Sequence, residues 1–532
     1  MSSVVFQALQ YQYFDCQLGE DDGGQESSND YAASVYAAEK SQIVHVIYGS
    51  EQESGKSVAI GVINALPILN LRLDDISRDI IDDPSTDWDA VLTTVKKRLK
   101  SLVTHIFGVN AFRRAIQSHV LVDDIVLEWA KTLYLFQEHQ SPFIKIPFRS
   151  VAAYQHFKST LTSIATVQNN TDISDESLEV AIEKVRLRLR RSDVAKAAKS
   201  KKTDYEKSDL LSKDQCANLE SKKEDLINIQ TARNKTKDLH SSVQNLPWSL
   251  HDGKIDPTVA LLKSLDCKKQ WFEVQLNVLN RLGFHSRYEE DGMLALRGDY
   301  AGVIDLSDLK VRNDVSGIAP FMQCAFDIEA YSGYFVLDGN KRKREFPDPK
   351  KEKNECFQIS MNFHRFGQDP ETARQYLLSL RNPDPLPQEL HTLPAHEHIT
   401  VHRCQTEKDL LLRFFQLIDE YDVDMFLSFN GDGFDWQFIY HRAVRHRLII
   451  EQRKRYVDMA DVANGSQYEN DVSSGEASRL LSRIHGQHIN LKHSVFSSGA
   501  AGTTQYRRLF IPGRLHIDLL KYVRDSPDRL PE

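Results

Sequence analysis

The stretch Phe326-Asp327-Ile328-Glu329, at the end of the largely apolar run 321–326, decides how the rest of the chain is read. Strand side chains alternate with period two, so Asp327 and Glu329 leave one face while Ile328 packs into the other. Carboxylates held close together raise each other's proton affinity unless a hard divalent cation such as Mg²⁺ lies between them. A D-x-E at a strand end therefore reads as half of a metal site, and it needs a partner. The candidate is Phe426-Leu427-Ser428-Phe429-Asn430-Gly431-Asp432-Gly433-Phe434-Asp435-Trp436-Gln437-Phe438-Ile439. Here 425–429 fits a buried strand, 430–433 is turn chemistry, and helical periodicity begins at Phe434. Asp435 then falls in the first turn of a helix just beyond a strand end, where a third carboxylate can face the first two.

Between these motifs, Phe357, Ile359, Met361 and Phe363 alternate with polar residues as a second strand, and 398–403 reads as a third. Thr406 and Asp409 resemble a capping box, ahead of a helical face traced by Leu410, Leu411, Phe414, Phe415 and Ile418. The pair Phe-Asp-Ile-Glu and Asn-x-x-x-Phe-Asp resembles the first and second exonuclease motifs of family B DNA polymerases. Pro512-Gly513-Arg514-Leu515-His516-Ile517-Asp518-Leu519-Leu520 resembles the strand that follows the second motif in delta-like members, and Ile318-Ala319-Pro320-Phe321 resembles the entry to their exonuclease domain. The element order and the resemblance together imply an α/β fold. Its RNase H-like 3′–5′ exonuclease core, a mixed sheet at 321–532, would follow an α+β N-terminal domain at 1–166 and 248–320, with a charged helical or disordered insertion at 167–247.

By the same resemblance, Asp327, Glu329 and Asp435 are the catalytic and metal-binding residues, holding two Mg²⁺ or Mn²⁺ ions. Two ions about 4 Å apart suit phosphodiester hydrolysis, because together they activate a water, stabilise the leaving oxygen and neutralise the phosphate. Asn430 and Phe434 match DNA-binding positions near the 3′-terminal nucleotide; Phe434 could stack on a base or simply anchor its helix in the core. Asp518 is read as part of a structural strand, outside the metal set. The implied partners are DNA, as a single-stranded 3′ end and primer-template, the palm, fingers and thumb of a polymerase, and a sliding-clamp processivity factor. The family's third motif, Tyr-x-x-x-Asp, does not follow Asp518, and the palm signatures S-L-Y-P-S and Y-G-D-T-D are absent from the 532 residues. The expectation is the N-terminal and proofreading part of a polymerase acting in DNA replication, with little activity on its own. A stand-alone DEDD-type nuclease and a non-catalytic nucleic-acid-binding scaffold are the alternatives.

The remaining sequence sets bounds. A net charge of −8 excludes a surface basic throughout and leaves nucleic-acid contact to local patches. Six cysteines without C-x-x-C spacing suggest neither a zinc knuckle nor a disulfide framework. No apolar run approaches the roughly 20 residues of a membrane span, so the expectation is a soluble intracellular protein without membrane contact, in the nucleus or at a viral replication site. Stretches 4–14, 43–48 and 141–148 read as strands; 92–103, 124–136 and a segment through Tyr154, Phe157 and Leu161 read as helices. Residues 19–29 and 456–497 read as loops, and Pro257 opens a helix. Arg186, Arg188, Arg190 and Arg191 suit either phosphate contact or a solvated helix face. Lys341-Arg342-Lys343-Arg344 suits single-strand steering, a nuclear-import signal or a plain loop.

Overall fold

The computed structural model describes residues 3–17, 38–73, 76, 80, 83, 85–108, 110–130, 140–170, 174–200, 211–236, 248–251, 255–279, 296–332, 334–337, 341–344, 346–381, 399–454, 470–484, 489–498, 502–520 and 523. Two sheets build the amino-terminal half. In the first, Lys310–Val311, Trp271–Gln275, Ser3–Gln17, Ser41–Glu51, Ser57–Ile63 and Tyr300–Asp305 lie side by side in that order. The second runs Val126–Ala130, Ser141–Pro147, Ile68–Leu73, Trp248–His251. It packs on the helices Trp88–Phe107 and Val151–Gln168 through Leu99, Ile106, Phe107 and Phe157.

The helix expected over 124–136 is not formed where the chain is described. Residues 126–130 pair antiparallel with 141–145, and 131–136 lie outside the described residues. The apolar spacing that mimics a helix is overridden by a neighbouring strand offering a full ladder, on which Val126 and Trp129 suit a pleated edge. The charged segment forms the helices Asp175–Ser200 and Lys213–Thr236, joined by an apolar contact of Leu178, Ile182 and Ile229. Pro257 opens the helix Pro257–Ser264 behind its cap Asp256. The loop expected at 19–29 lies outside the described residues.

The carboxy-terminal sheet carries the acidic motifs. Its strands are β1 (Met322–Ala330), β2 (Cys356–Arg365), β3 (Arg374–Leu380), β4 (Ile399–Cys404), β5 (Met425–Ser428) and β6 (Leu515–Asp518), in the order β4-β3-β2-β1-β5-β6. The sheet is mixed: β1 pairs antiparallel with β2 and parallel with β5, and β6 extends it parallel to β5. Between β4 and β5, helix α1 (Glu407–Glu420) starts at the Thr406–Asp409 capping box and buries Leu410, Leu411, Phe414, Phe415 and Ile418. Helix α2 (Asp435–Arg445) follows β5. Strand β3 goes unnoticed in the sequence, because Arg374-Gln-Tyr-Leu-Leu-Ser-Leu buries Leu378 and Ser379 without a clean alternation. Two loop readings are corrected. Residues 341–344 pair with 334–337 as a hairpin, and the stretch 456–497 contains strand 470–474, helix 476–481 and strand 490–498. In that Ser-rich stretch Ala477 and Leu481 are fully buried against the core, so packing overrides composition.

Candidate active site

The acids are delivered by core anchors one residue away. Along β1, Cys324, Phe326, Ile328 and Ala330 are buried while Asp327 and Glu329 are exposed, as the alternation predicts. Trp436, beside Asp435, is fully buried and stands edge-on to Phe326 at 4.8 Å and to Phe426 at 5.0 Å. Phe326 and Trp436 pack inside, which sets the neighbouring Asp327, exposed, and Asp435, buried, beside the same contact. Pairing of β1 with β5 ends at Ala325↔Leu427, which leaves the β1 edge at 327–329 open to the start of α2.

Asp435 uses that edge. Burial, then the charge of Asp327 and, more weakly, that of Asp518 raise its carboxyl to about 7, against the lowering effect of its own backbone N–H and that of Ile328. The Asp435 carboxyl thus reaches the middle residue of the D-x-E strand. Glu329 lies on the Asp327 face two residues along. Among the described residues, no three acidic, His or Cys side chains gather into one cation cage. The structure therefore brings Asp327 and Asp435 together and leaves Glu329 beside them. The donor chemistry still fits Mg²⁺, which binds one or two carboxylates and completes its shell with waters and substrate phosphates. A desolvated carboxyl facing a second carboxylate is the arrangement a divalent cation relieves.

The turn between β5 and α2 is tightly specified. Asn430 is exposed and takes a left-handed φ of 64°, a conformation Asn tolerates better than most side chains. A Cβ on Gly431 would lie 1.9 Å from Ser428 Oγ, and one on Gly433 would lie 2.2 Å from Asn430 Oδ1. Phe434 precedes α2 with no side-chain cap. Its half-buried ring packs edge-on to Phe346 at 5.1 Å and tilted to Phe438 at 5.4 Å, so it is neither purely core nor purely surface. Phe346, Pro349, Lys350, Phe434, Gln437 and His441 are among the residues lining a cleft of about 220 Å³.

Sequence reasoning missed two exposed rings here, Phe346 at 72% and Phe429 at 61%. The available signal for the first was an aromatic residue flanked by charge and followed by Pro-Asp-Pro. The structural reading of Asp518 lacked only its partners. Asp518 accepts the backbone N–H groups of Asn430 at 2.9 Å, Asp432 at 3.2 Å and Leu520 at 3.1 Å, which gives this carboxylate a structural task.

Residues 303–527 match the family model described as DNA polymerase family B, exonuclease domain. The DNA polymerase catalytic subunit of Epstein-Barr virus (strain B95-8) is 30% identical over 142 residues, 27% of this chain and 12% of that protein. DNA polymerase 120R of Invertebrate iridescent virus 3 is 25% identical over 233 residues, 42% of this chain and 16% of that one. The DNA polymerase delta catalytic subunit of Glycine max is 23% identical over 211 residues, 40% and 15% of the two chains. Each match spans at most about a sixth of the curated relative's length. The solved family B DNA polymerase of the hyperthermophilic archaeon Pyrobaculum calidifontis aligns with 98% of this chain and 38% of its own, at a TM-score of 0.42 and 10% identity, too loose a likeness to carry the fold.

Proposed function

We propose, from the match of residues 303–527 to the family B DNA polymerase exonuclease domain, that this chain supplies the metal-holding carboxylates of a 3′–5′ proofreading exonuclease acting in DNA replication. The observation that carries the reading is Asp435, buried at the start of α2 with its carboxyl raised to about 7 by burial and by Asp327. In this reading Asp327 and Asp435 hold the cation pair, and Glu329 orients the attacking water from the same strand face. Asn430 and Phe434 seat the 3′-terminal nucleotide, the Phe434 ring giving a base a surface that is indifferent to sequence. Divalent ions, when bound, supply charge neutralisation at the scissile phosphate and a more acidic water. The substrate is a single-stranded 3′ end arriving from primer-template, and the palm, fingers, thumb and clamp are the partners this assignment calls for. The division at residues 166, 247 and 320 belongs to the same reading.

Within the 532 residues no Tyr-x-x-x-Asp follows Asp518, so we expect hydrolysis of a 3′-labelled single strand by this chain to be slight. Metal binding is therefore the sharper test. A Mn²⁺ titration followed by electron paramagnetic resonance should show saturable binding that Asp327→Asn and Asp435→Asn each weaken at least about tenfold, the scale on which metal-site substitutions act. Parent-like binding in both variants would overturn the assignment.

A further inference from the structure

Helix α2 begins without a side-chain cap, so local sequence does not fix where Asp435 points. The turn before it must be held from elsewhere. His516, on β6, is buried between the two ends of that turn: its Nε2 is 2.7 Å from Ser428 Oγ and its Nδ1 is 3.0 Å from Asp432 Oδ1. An ionised carboxylate only accepts, so Nδ1 donates to Asp432, and the Ser428 hydroxyl, which can donate or accept, completes the bridge at Nε2. Ser428 ends β5 and Asp432 lies three residues before Asp435. Two residues along the same face of β6, Asp518 accepts the N–H groups of Asn430 and Asp432. The other oxygen of Asp432 faces Arg508 Nε at 3.4 Å, and its carbonyl accepts from Gln437 Nε2 at 2.6 Å, which ties the turn forward into α2.

This Ser–His–Asp chain has the connectivity of a nucleophilic triad, but Ser428 is 3% exposed and lies under Gly431, so no substrate carbonyl can reach its Oγ. What the chain can do is hold backbone. We propose that His516 is a positioning residue of the carboxylate site: by bridging Ser428 and Asp432 it fixes the turn that delivers Asp435 to Asp327. The inference rests on reading Asp327 and Asp435 as the metal-holding pair. Removing the bridge leaves the β6 strand and the Asp518 contacts in place but slackens the turn between Ser428 and Asp432, which loosens the metal ligand without touching it.

The test uses the full chain and two readouts, Mn²⁺ affinity and hydrogen exchange at the amides of Asn430 and Asp432. His516→Leu should weaken Mn²⁺ binding about tenfold, the lower end for residues that orient a ligand, and speed exchange at both amides while exchange within α1 stays at the parent rate. His516→Gln, which keeps a donor and an acceptor, should recover most of both. Parent-like affinity and exchange in His516→Leu overturns the proposal, as does a Gln variant as defective as the Leu variant. If His516→Leu does not fold, Ser428→Ala removes one end of the bridge and is judged by the same outcomes. Equal Mn²⁺ binding by the parent and Asp435→Asn would bring down the metal reading instead, and the exchange data would still decide whether His516 holds the turn.

Discussion

The guanidinium of Arg442 and the carboxylate of Glu407 form an ion pair in the interior, their side chains 2% and 1% exposed. Glu407 stands in the first turn of α1 and Arg442 in the last turn of α2, so the pair bolts the Asp435-bearing helix to its neighbour. Glu407 also accepts from His446 Nε2 at 2.6 Å and from the Cys356 N–H at 2.8 Å, and Arg442 donates onward to the carbonyls of Pro349 at 3.2 Å and Lys351 at 2.9 Å. Burial by itself would raise the Glu407 carboxyl, but these donors outweigh it and hold it below the usual range.

Breaking one side of that pair should be costly. Glu407→Gln leaves the Arg442 charge buried without its counter-ion, a defect on the order of 3–5 kcal/mol, whereas replacing both by apolar residues of similar volume restores much of the loss. Urea denaturation of Glu407→Gln and of the double variant Glu407→Leu/Arg442→Met checks this. A single variant within 1 kcal/mol of the parent would show that the network is not holding α2.

Asp435 gives stability a pH dependence of defined sign. Its carboxyl ionises near 3.8 when unfolded and at about 7 when folded, so the native state keeps the proton longer. The native state is favoured most below pH 3.8 and loses that advantage as the pH rises toward 7. The interval is worth roughly 4 kcal/mol. In EDTA, Asp435→Asn should therefore exceed the parent in stability at pH 8 by up to about that amount and match it near pH 4. Adding Mg²⁺ should narrow the gap, since a ligand of the native state stabilises only the protein that binds it. Thermal melts at the two pH values decide it, and an Asn variant less stable at pH 8 would refute the argument.

The acidic motifs were legible because a strand and a helix start impose fixed periods. Alternation along 324–330 places Asp327 and Glu329 outward, and the turn residues 430–433 put Asp435 in the first turn of a helix read from Phe434; the helix starts one residue later, at Asp435 itself. The relation of Glu329 to the pair was not legible, since its side-chain placement depends on contacts beyond the pleat. Strand 126–130 and helix 476–481 were misread for one reason: a partner distant in sequence decides each, the ladder of 141–145 in the first case and the core beside α1 in the second. The His516 bridge joins residues 84 and 88 positions apart, and no local pattern announces it.

Gly431 is the turn position least able to accept a side chain. A methyl there meets Ser428 Oγ at 1.9 Å, and that hydroxyl is itself held by His516. Gly431→Ala should cost about 1–3 kcal/mol, the usual range for overpacking, and should lower Mn²⁺ affinity along with it. Urea denaturation of Gly431→Ala measures that cost. A Gly431→Ala variant with parent stability would mean that the turn is looser than its contacts suggest.

The three acids should not be equal in metal binding by the free protein. After burial, the Asp327 charge is the next cause that raises the Asp435 carboxyl, and Glu329 is not among the causes. If Asp327 and Asp435 hold the cation as proposed, Asp327→Asn would remove a ligand, whereas Glu329→Gln would remove only a neighbouring charge. At moderate salt that longer-range contribution is screened within about 8–10 Å. Mn²⁺ affinity should therefore fall at least about tenfold in Asp327→Asn and only a few-fold in Glu329→Gln. Equal losses in the two variants without DNA would place Glu329 inside the resting metal site and would require its side chain to turn toward Asp435.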